Sequence, residues 1–159
     1  MALTRAFYKA TQGQWTPLWS YDNTNYSTTS TTAWAGVLSK VYSFTIPTQA
    51  SGVAVVATVN SRLYSTTNTA DAQFRLEYLN SSGVWTACPS QEAKITNTSA
   101  TGATAVATDD NLTITATGAF WSNVAGNMQF RVTGYYSGGA DAGLGAYTYN
   151  STMMVTPYD

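Results

Sequence analysis

The chain has 159 residues and a net charge of −1; 44% of its residues are apolar, 13% aromatic and only 9% charged. That much apolar and aromatic material excludes a disordered chain, and the length suits a single domain with a sizeable core. The seven basic residues are scattered, which excludes a phosphate-backbone footprint, and the longest apolar run, Val53 to Ala57, is far too short to span a bilayer.

Ordinary soluble domains carry charge on about a quarter of their residues. Here about a quarter of the chain is Ser or Thr instead, so hydroxyls and amides keep the surface wet. A weakly charged surface resists self-association poorly. It suits a protein that works docked on something larger, or outside cells.

In chain order, residues 1–35 come first and lack clean alternation. They hold Phe7, Tyr8, Trp15, Trp19, Tyr21, Tyr26 and Trp34, with the hydroxyl-rich stretch SYDNTNYSTTSTTAW between Ser20 and Trp34. The segment reads either as an irregular first strand pair or as an arm laid across another surface. Its seven aromatic residues are the candidate interface, because Trp and Tyr supply contact area with few rotatable bonds. The alternative is that they cover an open end of the protein's own fold. The opening MALTRAFYKATQGQ has no apolar signal core, so synthesis in a cytoplasm is expected.

Residues 36–159 read as strands of one β-sandwich domain. Val53, Val55, Ala57 and Val59 share one face of a strand. Phe74, Leu76 and Tyr78 share another, opposite Gln73, Arg75 and Glu77. Leu112, Ile114 and Ala116 alternate with Thr113, Thr115 and Thr117, and Phe130 and Val132 with Arg131 and Thr133. Last, Tyr147, Tyr149, Met153 and Val155 alternate with Thr148, Thr152 and Thr156. Turns are expected at Pro47, Ser51-Gly52, Asn80 to Gly83, Ser99 to Gly102, Asp109 to Asn111, Ala125 to Asn127 and Ser137 to Gly139. Short strands between frequent turns predict an all-β, antiparallel two-sheet β-sandwich, jelly-roll-like, with roughly eight strands and an irregular N-terminal arm. A weak echo, AQFRLEYLNSSG (residues 72–83) against MQFRVTGYYSGG (residues 128–139), places Phe74 and Phe130 in the core and Arg75 and Arg131 on the opposite face. It reads either as two strands in similar environments or as equivalent strands of two Greek-key halves.

The chain holds few residues that carry chemistry. There is no histidine, which removes the common triads and the commonest metal ligand. The single Cys88 cannot form an internal disulfide, and one cysteine without histidine makes no ordinary zinc site. No phosphate cradle is present. Asp109-Asp110-Asn111 reads as a solvated turn, with calcium binding as the alternative. No catalytic residue, metal or cofactor is expected, and an enzyme is not the expected class.

Three stretches carry a resemblance: MALTRAFYKATQG, the Ser20–Trp34 segment, and strands such as QFRLEYLNSSGVW. In overall character the chain resembles tailed-bacteriophage capsid decoration (cement) proteins. The resemblance implies a virion structural protein on the capsid exterior, a homotrimer bound to the major capsid protein, with no nucleic acid or membrane partner. The alternative is a phage receptor-binding or carbohydrate-binding β-sandwich module, with Trp85, Trp121, Tyr135 and Tyr136 as candidate surface rings for stacking on sugars.

Overall fold

A computed structural model describes residues 16–65, 70–89, 92–96, 106–122, 126–137 and 145–158. Within them the strands are β1 (Leu18–Asp22), β2 (Tyr26–Thr28), β3 (Gly36–Val37), β4 (Tyr42–Thr45), β5 (Gly52–Ser65), β6 (Asp71–Leu79), β7 (Trp85–Ala87), β8 (Ala93–Thr96), β9 (Val106–Gly118), β10 (Asn127–Tyr136) and β11 (Gly145–Tyr158). Two antiparallel sheets pack face to face as a β-sandwich. The first runs β1–β11–β5–β9, with β2 also paired to β11. The second runs β3–β10–β6–β7, with β4 also on β10 and β8 also on β6.

The alternation read from the sequence sorts the faces. Val53, Val55, Ala57, Val59 and Leu63 of β5 point inward and are buried, as are Leu112, Ile114 and Ala116 of β9. From the second sheet come Phe74, Leu76, Phe130 and Val132. Phe120 lies edge-on to Phe130 (ring centroids 5.6 Å apart) and tilted against Tyr78 (5.0 Å), so three rings interlock between the sheets.

Hydroxyls also cross the core. Tyr42 donates to the carbonyl of Ser151 (3.1 Å), Thr148 to that of Leu38 (2.7 Å), and the Tyr136 and Ser65 hydroxyls bond each other (2.9 Å). Each bond links the first sheet to the second or to its β3 edge. A buried hydroxyl is tolerable only when bonded, so these pairs fix how the layers sit on each other.

Two readings are corrected by the fold. Tyr147 and Tyr149 do not share a face with Met153 and Val155: the rings point outward and the other two are buried. The register of β11 on β5 shifts between Thr148 and Asn150, a bulge. One extra residue inverts the parity of everything beyond it. Asp109-Asp110-Asn111 is not a turn either; it lies inside β9, paired to Arg62, Ser61 and Asn60 of β5.

The echo resolves into neighbours. β6 and β10 pair with each other, with Leu76 opposite Val132, so a local two-fold relates the two Gln-Phe-Arg triplets. They are adjacent strands in one sheet and share an environment for that reason. Phe74 and Phe130 are fully buried, and Arg75 and Arg131 stand on the outer face.

Candidate functional site

The described part of the N-terminal segment is woven into the first sheet. β1 pairs with β11 from Leu18–Val155 to Asp22–Ser151, and β2 pairs with the start of β11. Among the described residues β1 and β2 form one edge of that sheet. Residues 18–22 and 26–28 are thus strands of the first sheet.

Between β2 and β3 the chain is irregular, and hydroxyls hold it. Thr28 Oγ1 accepts from the backbone N–H of Ser30 (3.1 Å), and Ser30 Oγ from that of Thr32 (3.2 Å). Short hydroxyl side chains take over the backbone bonds that a regular strand would make. Gly36 is required here, because a Cβ would lie about 2.5 Å from the Thr28 side chain.

Asp22 anchors the edge. It is buried, and its carboxylate accepts from the backbone N–H groups of Lys40 (2.9 Å) and Thr24 (3.0 Å). Burial alone would raise its pKa; the bonds from Lys40 and Thr24 and from the Tyr26 hydroxyl outweigh this and hold it below the ordinary carboxylate range. The Lys40 ammonium donates to the Tyr21 carbonyl and lies 5.1 Å from the centre of the Tyr42 ring. The two charges at this edge are thus occupied with holding β1 to the β3–β4 connection.

Apolar side chains also stand outward here. Trp19 is 67% exposed and Tyr21 57%, and nearby on the second sheet's edge Val41 is 47% and Val37 43% exposed. Of the five large hydrophobic residues exposed among the described residues, Trp19 and Tyr21 stand on the outer face of the first sheet, and Val37 and Val41 at the β3–β4 edge on that of the second. Scattered exposed apolar residues are ordinary; two exposed rings two residues apart on one strand face are a candidate contact surface.

The other expected interface residues fall elsewhere. Phe7, Tyr8 and Trp15 lie outside the described residues. Tyr26 is half-buried and packs on the core. Trp34 is half-buried too, at φ 63°, a conformation that costs a bulky residue of order 1 kcal/mol or more. Its ring meets Tyr135 edge-on (5.0 Å) and carries the Arg75 guanidinium on its face (4.4 Å).

That contact begins a clasp across the outer face of the second sheet. Glu77 is buried, with its carboxylate between two arginines. One oxygen accepts from Arg75 Nε and Nη2 (3.2 and 2.6 Å), the other from Arg131 Nε and Nη2 (2.9 and 2.7 Å). Arg131 in turn lies over Trp85 (4.3 Å). Burial works to raise the Glu77 pKa, but the paired guanidiniums prevail and lower it. Forked bonds with cation–π stacking on both flanks make a rigid seam from the Trp34 loop to β7.

The clasp decides the fate of the rings expected to stack on sugars. Trp85 is engaged by Arg131 and Tyr135 by Trp34. Trp121 is partly buried and packed against the core. Tyr136 is not a surface residue at all: it is fully buried, because β10 turns it inward on the parity of Phe130 and Val132. Among the described residues no group of three His, Cys, Asp or Glu side chains could hold a metal ion.

The sequence reading missed Val37, Val41 and the Asp22–Lys40 anchor. The valines had a signal: Leu38, Tyr42, Phe44 and Ile46 share one parity, which turns 37 and 41 outward. The anchor had none, since it joins residues 18 apart through a backbone N–H.

No protein-family model matches the chain, and no curated protein matches it.

Proposed function

We propose that this protein is a structural component of a tailed-bacteriophage virion, a capsid decoration (cement) protein. It assembles as a homotrimer and binds the major capsid protein on the capsid exterior. The reading is carried by one observation: on strand β1 the Trp19 and Tyr21 rings stand exposed side by side while the neighbouring charges, Asp22 and Lys40, are turned to internal bonds. A chain with 9% charged residues has little else to keep such an edge from sticking.

The mechanism is added interface, not catalysis. Each contact removes ring and aliphatic area from water at about 25 cal/mol per Å2, less the cost of association. Among the described residues β1 is an edge strand, whose backbone an incoming strand can match. Many symmetric copies, each contributing modestly, resist expansion of the shell together.

The test mixes the purified protein with empty capsid shells of the phage that encodes it. A trimer in solution and saturable binding at fixed stoichiometry are expected. The double variant Trp19→Ala/Tyr21→Ala should fold normally and bind shells at least tenfold more weakly, since exposed aromatic anchors dominate such interfaces, at about 2 kcal/mol each. A monomer that ignores the shells overturns the reading, and so does a double variant that binds like the wild type.

A further inference from the structure

The outer face of the first sheet carries a second feature, across β11, β5 and β9 just beyond the end of β1. Asn150, Asn60 and Asn111 fall in register on β11, β5 and β9, forming a row of three amides across the sheet. With strands about 4.8 Å apart, the row spans about 10 Å. The Asn60 amide N–H donates to Asn150 Oδ1 (2.5 Å). Asn60 thus keeps its own oxygen, and Asn150 its amide nitrogen, for other partners.

One step along the strands, Arg62 forks onto Asp109 (2.5 and 2.8 Å). Its guanidinium also lies 5.1 Å from the centre of the Tyr149 ring. The β11 bulge makes this combination possible: it turns Tyr149 and Asn150, consecutive residues, to the same outer face. Regular strand geometry would bury one of them. Together these residues line an open depression of about 520 Å3, within the usual range of roughly 300–1,000 Å3 for small-molecule sites.

The chemistry of the lining selects the ligand. One arginine against Asp109 and Asp110 leaves a net charge of −1, which opposes an anion such as a phosphate or an acidic sugar. Asp109 is already bound by Arg62, so too few carboxylates remain to hold a cation. Apart from the Tyr149 ring, every lining side chain ends in a polar or charged group. What it offers is amide donors beside amide acceptors, next to an aromatic ring. A sugar matches this: its hydroxyls both give and accept, and its C–H face lies on a ring. We propose that the Asn60–Asn111–Asn150 depression, with the Tyr149 ring held beside it by Arg62, binds a neutral saccharide. The proposal stands apart from the virion reading and uses none of the residues of the β1 edge.

The full chain is titrated with neutral oligosaccharides of glucose, mannose, galactose and N-acetylglucosamine, and with a sialylated oligosaccharide, by saturation-transfer NMR and calorimetry. At least one neutral sugar should bind with a Kd on the order of 1 mM, as an open polar site implies. Tyr149→Ala and Asn60→Ala should each weaken binding about tenfold or more, and Val41→Ala on the other side of the sandwich should leave it unchanged. Asn111→Ala removes only an exposed side chain from β9 and serves as the variant least able to disturb folding. No binding of any neutral sugar up to about 10 mM overturns the proposal. So does preference for the sialylated sugar, or binding that survives in the folded Asn60 and Asn111 variants.

Discussion

Replacing Glu77 by Gln should destabilise the protein more than any other conservative polar change in the described fold. Glu77 is nearly sealed from solvent, at 5% side-chain exposure, while Arg75 and Arg131 keep 22% and 20%. Breaking a buried pair costs about 3–5 kcal/mol because the surviving charge is stranded. Here two cations would be stranded side by side, but both retain some water and the glutamine oxygen still accepts from one of them. The expected loss is therefore about 2–4 kcal/mol at pH 7. For a chain of this length that is a fall in Tm of roughly 5–12 °C. The pH dependence gives an independent check. Glu77 has a lowered pKa in the folded state, so its contribution is complete above the unfolded value, about 4.3, and fades as pH falls through the folded one. Wild type and Glu77→Gln should therefore differ most near neutrality and converge as pH drops towards 3. Denaturant unfolding followed by tryptophan fluorescence reads this directly, since Trp34 and Trp85 stack on the two arginines. A variant within about 0.5 kcal/mol of wild type at pH 7, or a gap constant from pH 7 to pH 3, would show that the clasp is ornamental.

Other outcomes follow from the same geometry. Gly134→Ala should lower stability by about 1–3 kcal/mol, because the new Cβ would lie 2.5 Å from the Gln73 carbonyl and 2.7 Å from Leu38 Cδ1; thermal melting checks it. Burial, and to a lesser degree the nearby Glu77 charge, push the Cys88 thiol up to about 12. Folded protein at pH 8 should leave it unreacted with an aromatic disulfide reagent, whereas protein unfolded in guanidinium should react fully; fast reaction in the folded state would contradict the burial.

The strands and their inward faces were legible because alternation is local. A strand's parity depends on residues two apart, so Val53 to Val59, Phe74 to Tyr78 and Leu112 to Ala116 declared their buried sides without reference to any partner. The same reasoning placed the two arginines outside; Trp19 and Tyr21, singled out for ring area and not for parity, stand exposed. It failed where one residue was added: the bulge before Asn150 reversed the parity of Tyr147 and Tyr149, and nothing in the local pattern announces a bulge. The sites were decided only by pairing. Asn60, Asn111 and Asn150 are spread over 90 positions and meet because β5 is flanked by β9 and β11 in one register. Glu77 finds Arg131 across 54 positions, and Asp22 finds Lys40 across 18. Composition determined that this would be a sheet protein wetted by hydroxyls. Which hydroxyls, rings and amides stand together was set by the order of the strands, because contacts between distant segments depend on the closure of the whole sandwich and not on any stretch within it.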